Sequence, residues 1–265
     1  MQNIKKFKLF VNDNDKSKEV ANIVELKLVE AGFKSVKKDF DLAIAIGGDG
    51  SFLRMVKNTN FNSNVLYVGI NAGTLGFAQE VSIDDIDTFI EELKNKDFKV
   101  DNIGVQETKV ATEDSDSYFF SLNEIVLRQK ELNTLVLDAY IDDVFLETVV
   151  GDGLLVSTSF GSTAYNLSFG GSIVYNTFHT LQLTPIAPLN NKSYRSLLNS
   201  VILPENKLIR MIPQRNKELL ITIDGENKYY DNVLYVETVV DKKRINCLRR
   251  KDYNFVEKIN EKFLK

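Results

Sequence analysis

Residues 42–50 read Leu-Ala-Ile-Ala-Ile-Gly-Gly-Asp-Gly, an apolar run that stops on glycines. A short, continuous apolar segment bounded by turn residues predicts a strand buried on both faces, as in a parallel sheet. Ser51-Phe52-Leu53 then opens a helical pattern, so the stretch reads strand, glycine turn, helix. Such a junction aims backbone N–H groups and a helix dipole at one spot, where an anion can sit. Glycine lets the chain approach a phosphate with no Cβ in the way. Asp49 is the odd member. A carboxylate repels phosphate unless it holds a metal ion or takes a proton from an attacking hydroxyl, and both jobs belong to phosphoryl transfer. A tight turn with Asp49 as a local cap accounts for these four residues equally well.

The flanking sequence extends the same alternation. Phe7–Val11 reads as a strand, and Val20, Ile23, Val24, Leu28 and Ala31 follow at helical spacing, with Gly32 placed to end the helix. Val65–Ile70 is a second apolar, β-branched run, and Asn71-Ala72-Gly73-Thr74-Leu75-Gly76-Phe77 leaves its carboxyl end. Ser82, with Asp85 three residues on, predicts a helix start for the apolar face Ile83, Ile86, Phe89, Ile90 and Leu93. Alternating strands and helices predict a parallel sheet with helices on its faces, whose ligands sit at the carboxyl ends of strands. The loops 47–50 and 71–77 are therefore expected on one edge.

Near residue 98 the character changes. Short β-rich runs dominate to about 249: Tyr118–Leu127, Thr134–Ile141, Val144–Val150, Leu154–Thr158, Leu208–Ile212, Leu219–Ile223, Val233–Val240 and Arg244–Leu248. Asp142-Asp143 and Asp224-Gly225 suit hairpin turns. Strands without intervening helices predict an antiparallel β-sandwich or barrel-like domain. The tail from Asn254 carries Phe255, Val256, Ile259 and Phe263 at helical spacing and is expected to return to the first domain. The expected organisation is α/β plus all-β: an α/β domain over 1–98, completed by 250–265, and a β-sandwich domain over 99–249. All four prolines (185, 188, 204, 213) are expected in loops.

The chain has 265 residues and a formal net charge of −4, so electrostatics do not favour nucleic acid as a partner. One cysteine, Cys247, permits no internal disulfide and suits a reducing compartment. Cys247 and the only histidine, His179, cannot assemble a zinc site. No apolar run nears the ~18 residues of a membrane span. These features lead us to expect a cytoplasmic protein. The basic run Lys242-Lys243-Arg244 with Arg249-Arg250-Lys251 reads as solvated strand ends.

In the second domain, Gly151-Asp152-Gly153 precedes a strand, and Ser157–Gly171 crowds hydroxyls and glycines around Tyr165. Hydroxyls and exposed backbone can bond a base edge or ribose, and Tyr165 can stack on a planar ring. A Ser/Thr-rich loop capping a helix that begins near Thr163 explains the composition as well. Asn123-Glu124 interrupts an apolar strand, as a site residue pair or a solvent-facing one would.

In order and spacing these segments resemble the ATP-NAD kinases: GGDG, then NAGTLGF, an Asn-Glu pair, GDG and STSFGSTAYNLSFGG, across roughly residues 41–225. GGDG alone is shared with diacylglycerol and sphingosine kinases and phosphofructokinases; NAGTLGF and GSTAYNLS carry the specificity. The resemblance implies transfer of the ATP γ-phosphoryl group to the 2′-hydroxyl of the adenosine ribose of NAD. It implies Asp49 as proton acceptor, with Gly50 against the dinucleotide and Gly47, Gly48, Gly50, Asn71 and Gly73 as the phosphate loops. Asn123 and Glu124 match the adenosine-contacting pair, and Asp152 matches the aspartate at the nicotinamide riboside end. Thr163, Ala164, Tyr165, Asn166, Leu167 and Ser168 match the adenine and ribose segment; Ala187 and Gly225 match further lining positions. It also implies Mg²⁺ brought with ATP rather than a dedicated metal site, and a homodimer or homotetramer whose dinucleotide site borrows residues across the interface. The chain departs from the family at Val150, where many members carry Arg or Lys, and at Phe160, where many carry Pro. One cationic contact to a phosphate is therefore either absent here or supplied by Lys192 or Arg195. A lipid kinase would need an apolar pocket or membrane face, which the polar second site opposes, and a non-catalytic NAD(P) sensor would not need Asp49.

Overall fold

The apolar runs of the first hundred residues form parallel strands. The structure, a computed structural model, describes residues 4–73, 76–131 and 133–265; Thr74 and Leu75 of the NAGTLGF segment lie outside the described residues. Contacts divide the chain into two units, Met1–Ile103 with Arg244–Lys265, and Gly104–Lys243.

The first unit runs β1 (Lys6–Val11), α1 (Asp15–Glu30), β2 (Lys34–Ser35), β3 (Leu42–Gly47), α2 (Asp49–Asn58), β4 (Leu66–Asn71) and α3 (Ile86–Asn95). The order β2-β1-β3-β4 is parallel throughout, and Asn246 and Cys247 pair in parallel with Leu66 and Tyr67 on the far side of β4. Every residue of β3 is buried, because a central parallel strand is covered on both faces. Helix α1 is capped by Asn14, whose side chain accepts the Ser17 N–H, and it buries Val20, Val24 and Leu28 against Phe7, Ile44 and Phe89. Helix α3 starts later than Ser82 predicts. Ser82 Oγ donates to Asp85 at 2.6 Å, Asp85 takes the cap position, and Ile83 stays outside the helix.

The second unit holds β5 from Gly104 (Phe98–Thr112), then β6 (Asp116–Ser121), β7 (Glu124–Gln129), β8 (Leu135–Ile141), β9 (Val144–Gly151) and β10 (Gly153–Thr158). A 3-10 turn at Phe160–Thr163 and the single-turn helix α4 (Tyr165–Ser168) follow. Next come β11 (Thr180–Ile186), β12 (Val201–Pro204), β13 (Ile209–Pro213), β14 (Leu219–Ile223), β15 (Glu226–Tyr230) and β16 (Val233–Arg250); β16 leaves the unit after Lys243. Helix α5 (Phe255–Phe263) forms where the tail's apolar spacing predicts a helix, and contacts group it with the first unit. One antiparallel sheet has the order β12-β11-β10-β7-β14-β15. In the other, β16, β13, β8 and β9 are consecutive neighbours, with β5 beside β6 and β16. Leu127, Val156, Leu183 and Ile221 of the first sheet share one core with Leu137, Met211 and Val236 of the second, which is the expected sandwich. Both expected hairpins form, with positive φ at Asp142 and Asp143 and at Asp224 and Gly225.

Three sequence expectations need correction. Tyr118–Leu127 is two strands in different sheets, because the chain crosses between layers at Leu122-Asn123. Pro185 lies inside β11, not in a loop; it falls past Leu183, the last residue of β11 paired to β12, where a missing N–H is tolerated. Pro204 and Pro213 likewise sit at strand ends. Arg249 is no solvated strand end: it is 2% exposed, with Nε 2.9 Å from Asp101 and Nη1 3.1 Å from Glu80. Arg250 is also largely covered and pairs with Glu92.

Candidate active site

In the first unit, Gly47 ends β3 with φ +147°, a turn that L side chains resist. It pairs in register with Asn71 at the end of β4, and its carbonyl accepts the Ala72 N–H at 3.4 Å. The two glycine loops thus meet on one carboxyl edge, as their strand ends require. Asn71 Oδ1 turns back to accept the Gly73 N–H at 2.9 Å, while Gly48, Gly50 and Gly73 leave their backbone exposed. Asp49 is the first residue of α2 and does not cap it. Its carboxylate reaches across to the second loop: Oδ2 accepts the Phe77 N–H and Oδ1 the Ala78 N–H, each at 3.0 Å. Gly76 makes the approach possible, since a Cβ there would stand 2.0 Å from Asp49 Oδ1. Each carboxylate oxygen accepts one N–H and keeps a further lone pair for a substrate hydroxyl.

Arg54 was not singled out from the sequence. Its guanidinium donates to Asn12 Oδ1 at 2.7 Å and to Ser51 Oγ at 3.1 Å, and Nη1 stands 3.6 Å from where a Gly50 Cβ would be. Position 54 follows Gly50 by one helical turn, a spacing that puts a cation beside the glycine turn.

In the second unit, Asp224 organises the layer crossing. Its carboxylate accepts the N–H groups of Leu122 at 2.7 Å, Asn123 at 2.8 Å and Glu124 at 3.2 Å. From the other side, Thr158 Oγ1 donates to the Leu122 carbonyl at 2.6 Å and the Thr158 N–H to the Asn123 carbonyl at 2.8 Å. The Asn-Glu pair and the Ser/Thr-rich segment therefore converge. A cavity of about 330 Å³ lies beside them, lined by Glu124, Arg128, Tyr165, Thr222, Gly225 and Asn227. Arg128 Nη2 donates to the Tyr165 hydroxyl at 2.9 Å, and Tyr165 packs edge-on to Phe169. Thr163, Ala164, Leu167 and Ser168 flank Tyr165 with partly or fully exposed side chains. Asn166 differs: it is fully buried, its Nδ2 donating to Gln182 at 3.2 Å and its Oδ1 accepting from Thr184 at 2.7 Å. Its amide is thus committed within the protein.

Asp152 is exposed between β9 and β10, with its N–H bonded to the Ile186 carbonyl at 2.9 Å. Ala187 adjoins it at φ +44°, its carbonyl 2.8 Å from where a Gly151 Cβ would be. Val150 receives the 189–196 loop: its carbonyl accepts the Leu189 N–H, and its N–H donates to Ser196 Oγ. Arg195 precedes Ser196 in that loop. His179 is paired with Glu205, Nδ1 to Oε2 3.3 Å. Cys247 is buried, and burial pushes its thiol up to about 12, which makes it a packing residue.

Glu124 is the most perturbed acid of this site. Burial, then the Asp224 carboxylate, push it up to about 8, against a hydrogen bond from the Tyr165 backbone. Its Oε2 has no partner among the described residues, and the protonated form that burial favours can donate from there to a ligand. A raised folded-state value means that stability is fully present below the unfolded value and is lost as pH rises through about 8. Between those limits the wild type loses up to roughly 1.4 kcal/mol per pH unit from this group. Glu124→Gln lacks that slope. The melting temperature of the variant minus that of the wild type rises between about pH 5 and 8.5; a constant difference by calorimetry would refute the assignment.

Among the described residues no three His, Cys, Asp or Glu side chains converge as a metal cage, and no helix is long and apolar enough to cross a membrane. Comparison with known proteins places these observations. The ATP-NAD kinase N-terminal domain family matches residues 2–98, and the ATP-NAD kinase C-terminal domain family matches residues 122–242. A protein named NAD kinase from Finegoldia magna is 42% identical, over 99% of both chains. NAD kinase 2 of Bacillus subtilis is 32% identical over 95% of this chain and 93% of its own. Yeast NADH kinase, solved with NADH, superposes with a TM-score of 0.85 at 20% identity, over 98% of this chain and 88% of its own. An Archaeoglobus fulgidus NAD kinase solved with ATP gives a TM-score of 0.72 at 20% identity, over 97% and 98%.

Proposed function

The chain belongs to the ATP-NAD kinase family, a phosphotransferase using ATP and NAD, and we propose how its residues divide that work. Asp49 receives the proton of the adenosine ribose 2′-hydroxyl as that oxygen attacks the γ-phosphorus. The bond from the γ-phosphorus to its bridging oxygen breaks, ADP leaves, and NADP forms. The observation that carries this role is the pair of backbone N–H groups fixing the Asp49 carboxylate while each oxygen keeps a lone pair. Phosphoryl transfer depends on positioning and charge neutralisation, with a carboxylate orienting the nucleophile. Exposed backbone at Gly48, Gly50 and Gly73 and the guanidinium of Arg54 suit the phosphates. Mg²⁺ enters as part of the ATP complex, keeping most of its water ligands.

Glu124 as a neutral donor, Asn123, and the 163–168 segment with Tyr165 as a stacking face hold the adenosine part. Asp152, with Ala187, serves the nicotinamide riboside end. Asn166 acts through its backbone and by shaping the loop, since its amide is already used. The family resemblance implies a homodimer or homotetramer, and Phe178 at 63%, Leu198 at 59% and Val144 at 70% exposure are apolar side chains of the second unit open to such a contact. The single buried cysteine suits the cytoplasm.

Mixing purified protein with NAD, ATP and Mg²⁺, and reading NADP with an NADP-specific dehydrogenase, tests the reaction. Steady NADP formation is expected. A folded protein that binds NAD and makes no NADP would be a sensor instead. Light scattering on the same sample tests assembly, and an active monomer would exclude the oligomer.

A further inference from the structure

Helix α5 holds the segment that holds Asp49. Phe77 and Ala78 supply the two N–H groups on the Asp49 carboxylate, and the next two residues, Gln79 and Glu80, are gripped from below. Lys258 Nζ donates to the Gln79 carbonyl and lies 3.7 Å from Glu80 Oε2. Glu80 also takes Arg249 Nη1 at 3.1 Å and the Arg250 N–H at 3.0 Å. At the other end of the segment the Phe77 ring stacks on Phe263 at 5.3 Å and meets Phe255 edge-on at 6.0 Å. Phe255, Lys258 and Phe263 lie on one face of α5, at offsets of three and eight. Lys258 is nine-tenths buried, an expensive place for an ammonium that a purely packing role would not need.

We propose that Lys258 is a positioning residue for the phosphoryl-transfer step: through the Gln79 carbonyl and Glu80 it sets the 77–78 amides that aim the Asp49 carboxylate. The inference rests on Asp49 being the proton acceptor. The groups facing Lys258 are Glu80, Arg249, the Tyr253 ring at 5.5 Å and, at longer range, Asp49; Cys247 and Asp101 stand behind Arg249. On its own helix the neighbouring acids are Glu257 and Glu261. Burial pulls the Lys258 ammonium down to about 8, against the attraction of Glu80. Loss of its proton leaves Glu80 with one cation fewer and weakens the hold on the Gln79 carbonyl.

The test is the pH profile of kcat at saturating NAD and ATP for wild type, Lys258→Arg, Lys258→Met and Asp49→Asn. The wild type is expected to lose kcat as pH rises through about 8. Lys258→Arg stays charged, and its alkaline limb moves up by more than about one unit. Lys258→Met, close in length and apolar, loses about 10- to 100-fold in kcat with KM for both substrates nearly unchanged. A merely structural lysine would lower the melting temperature without splitting kcat from KM. The proposal falls if the wild-type kcat is flat up to about pH 9.5, or if Lys258→Arg keeps the wild-type limb, readings that stand even where Lys258→Met fails to fold. An inactive Asp49→Asn beside a fully active Lys258→Met would sink this inference alone, whereas an active Asp49→Asn would sink the reading beneath it.

Discussion

Asp49→Asn lowers kcat for NADP formation by about 10²- to 10⁴-fold, the range for losing a positioned acid–base group. Two effects combine. The amide cannot take the proton that the 2′-oxygen sheds on attack. It also cannot reproduce both hydrogen bonds: its oxygen can accept from Phe77 or Ala78, but its NH₂ then faces the other N–H. One N–H is left without a partner, at roughly 1–3 kcal/mol if water cannot replace it. The variant is therefore expected to melt a few degrees lower, yet fold. NAD affinity, measured by calorimetry, stays within a few-fold, because Glu124, Tyr165 and their neighbours are untouched. An active variant would show the carboxylate to be a loop anchor and nothing more. Gly76→Ala separates the parts from the other direction. It keeps the carboxylate but crowds it, the added Cβ standing 2.0 Å from Asp49 Oδ1, so kcat falls with the base chemically intact.

Sequence legibility here follows the distance over which a residue's environment is decided. The strand, turn and helix at 42–58 were readable because their signal is local: an unbroken apolar run, glycines, then helical spacing. The two hairpins were readable for the same reason, since Asp142-Asp143 and Asp224-Gly225 carry the left-handed conformations themselves. Tyr118–Leu127 misled because its one interruption, Asn123-Glu124, reads equally well as a solvent-facing pair within a single strand. The break is made by Asp224, about a hundred residues later, which takes the N–H groups that a continuing strand would have placed in a ladder. Arg249 reads as solvated in a basic run, because its ion-pair partners Glu80 and Asp101 lie far away in the chain. Strands β5, β11, β12 and β15 passed unnoticed: β15 is mostly polar, and Pro185 and Pro204 made β11 and β12 read as loop. In the candidate site, Asp49 and Tyr165 stay at least partly open to solvent, whereas Asn166 turns its amide inward. A residue type can name a chemistry, but not which way the group faces.

Gly161→Ala is expected to cost the second site its shape. Gly161 lies in the 3-10 turn between β10 and Tyr165, and a Cβ there would stand 2.2 Å from the Asn123 carbonyl oxygen and 2.5 Å from its carbon. Both are backbone atoms, so no side chain can swing aside to make room. The Asn123 peptide is itself pinned, by Asp224 on its N–H and by the Thr158 N–H on its carbonyl. The turn must retreat, and retreat strains the Gly161 N–H to Thr158 Oγ1 bond at 3.0 Å together with the Thr158 hydroxyl bond to Leu122. Overpacking of this kind costs about 1–3 kcal/mol, or roughly 3–10 °C in melting temperature for a unit of this size. Binding suffers more than folding, because Tyr165 and the Asn-Glu pair are displaced relative to each other. KM for NAD is expected to rise about tenfold or more, the equivalent of 1.4 kcal/mol of lost contact energy, while KM for ATP changes little. Steady-state kinetics with each substrate varied in turn reads the split. Equal rises in both KM values would mean that the turn supports the whole molecule rather than one ligand, and an unchanged NAD value would remove the 157–168 segment from the dinucleotide site.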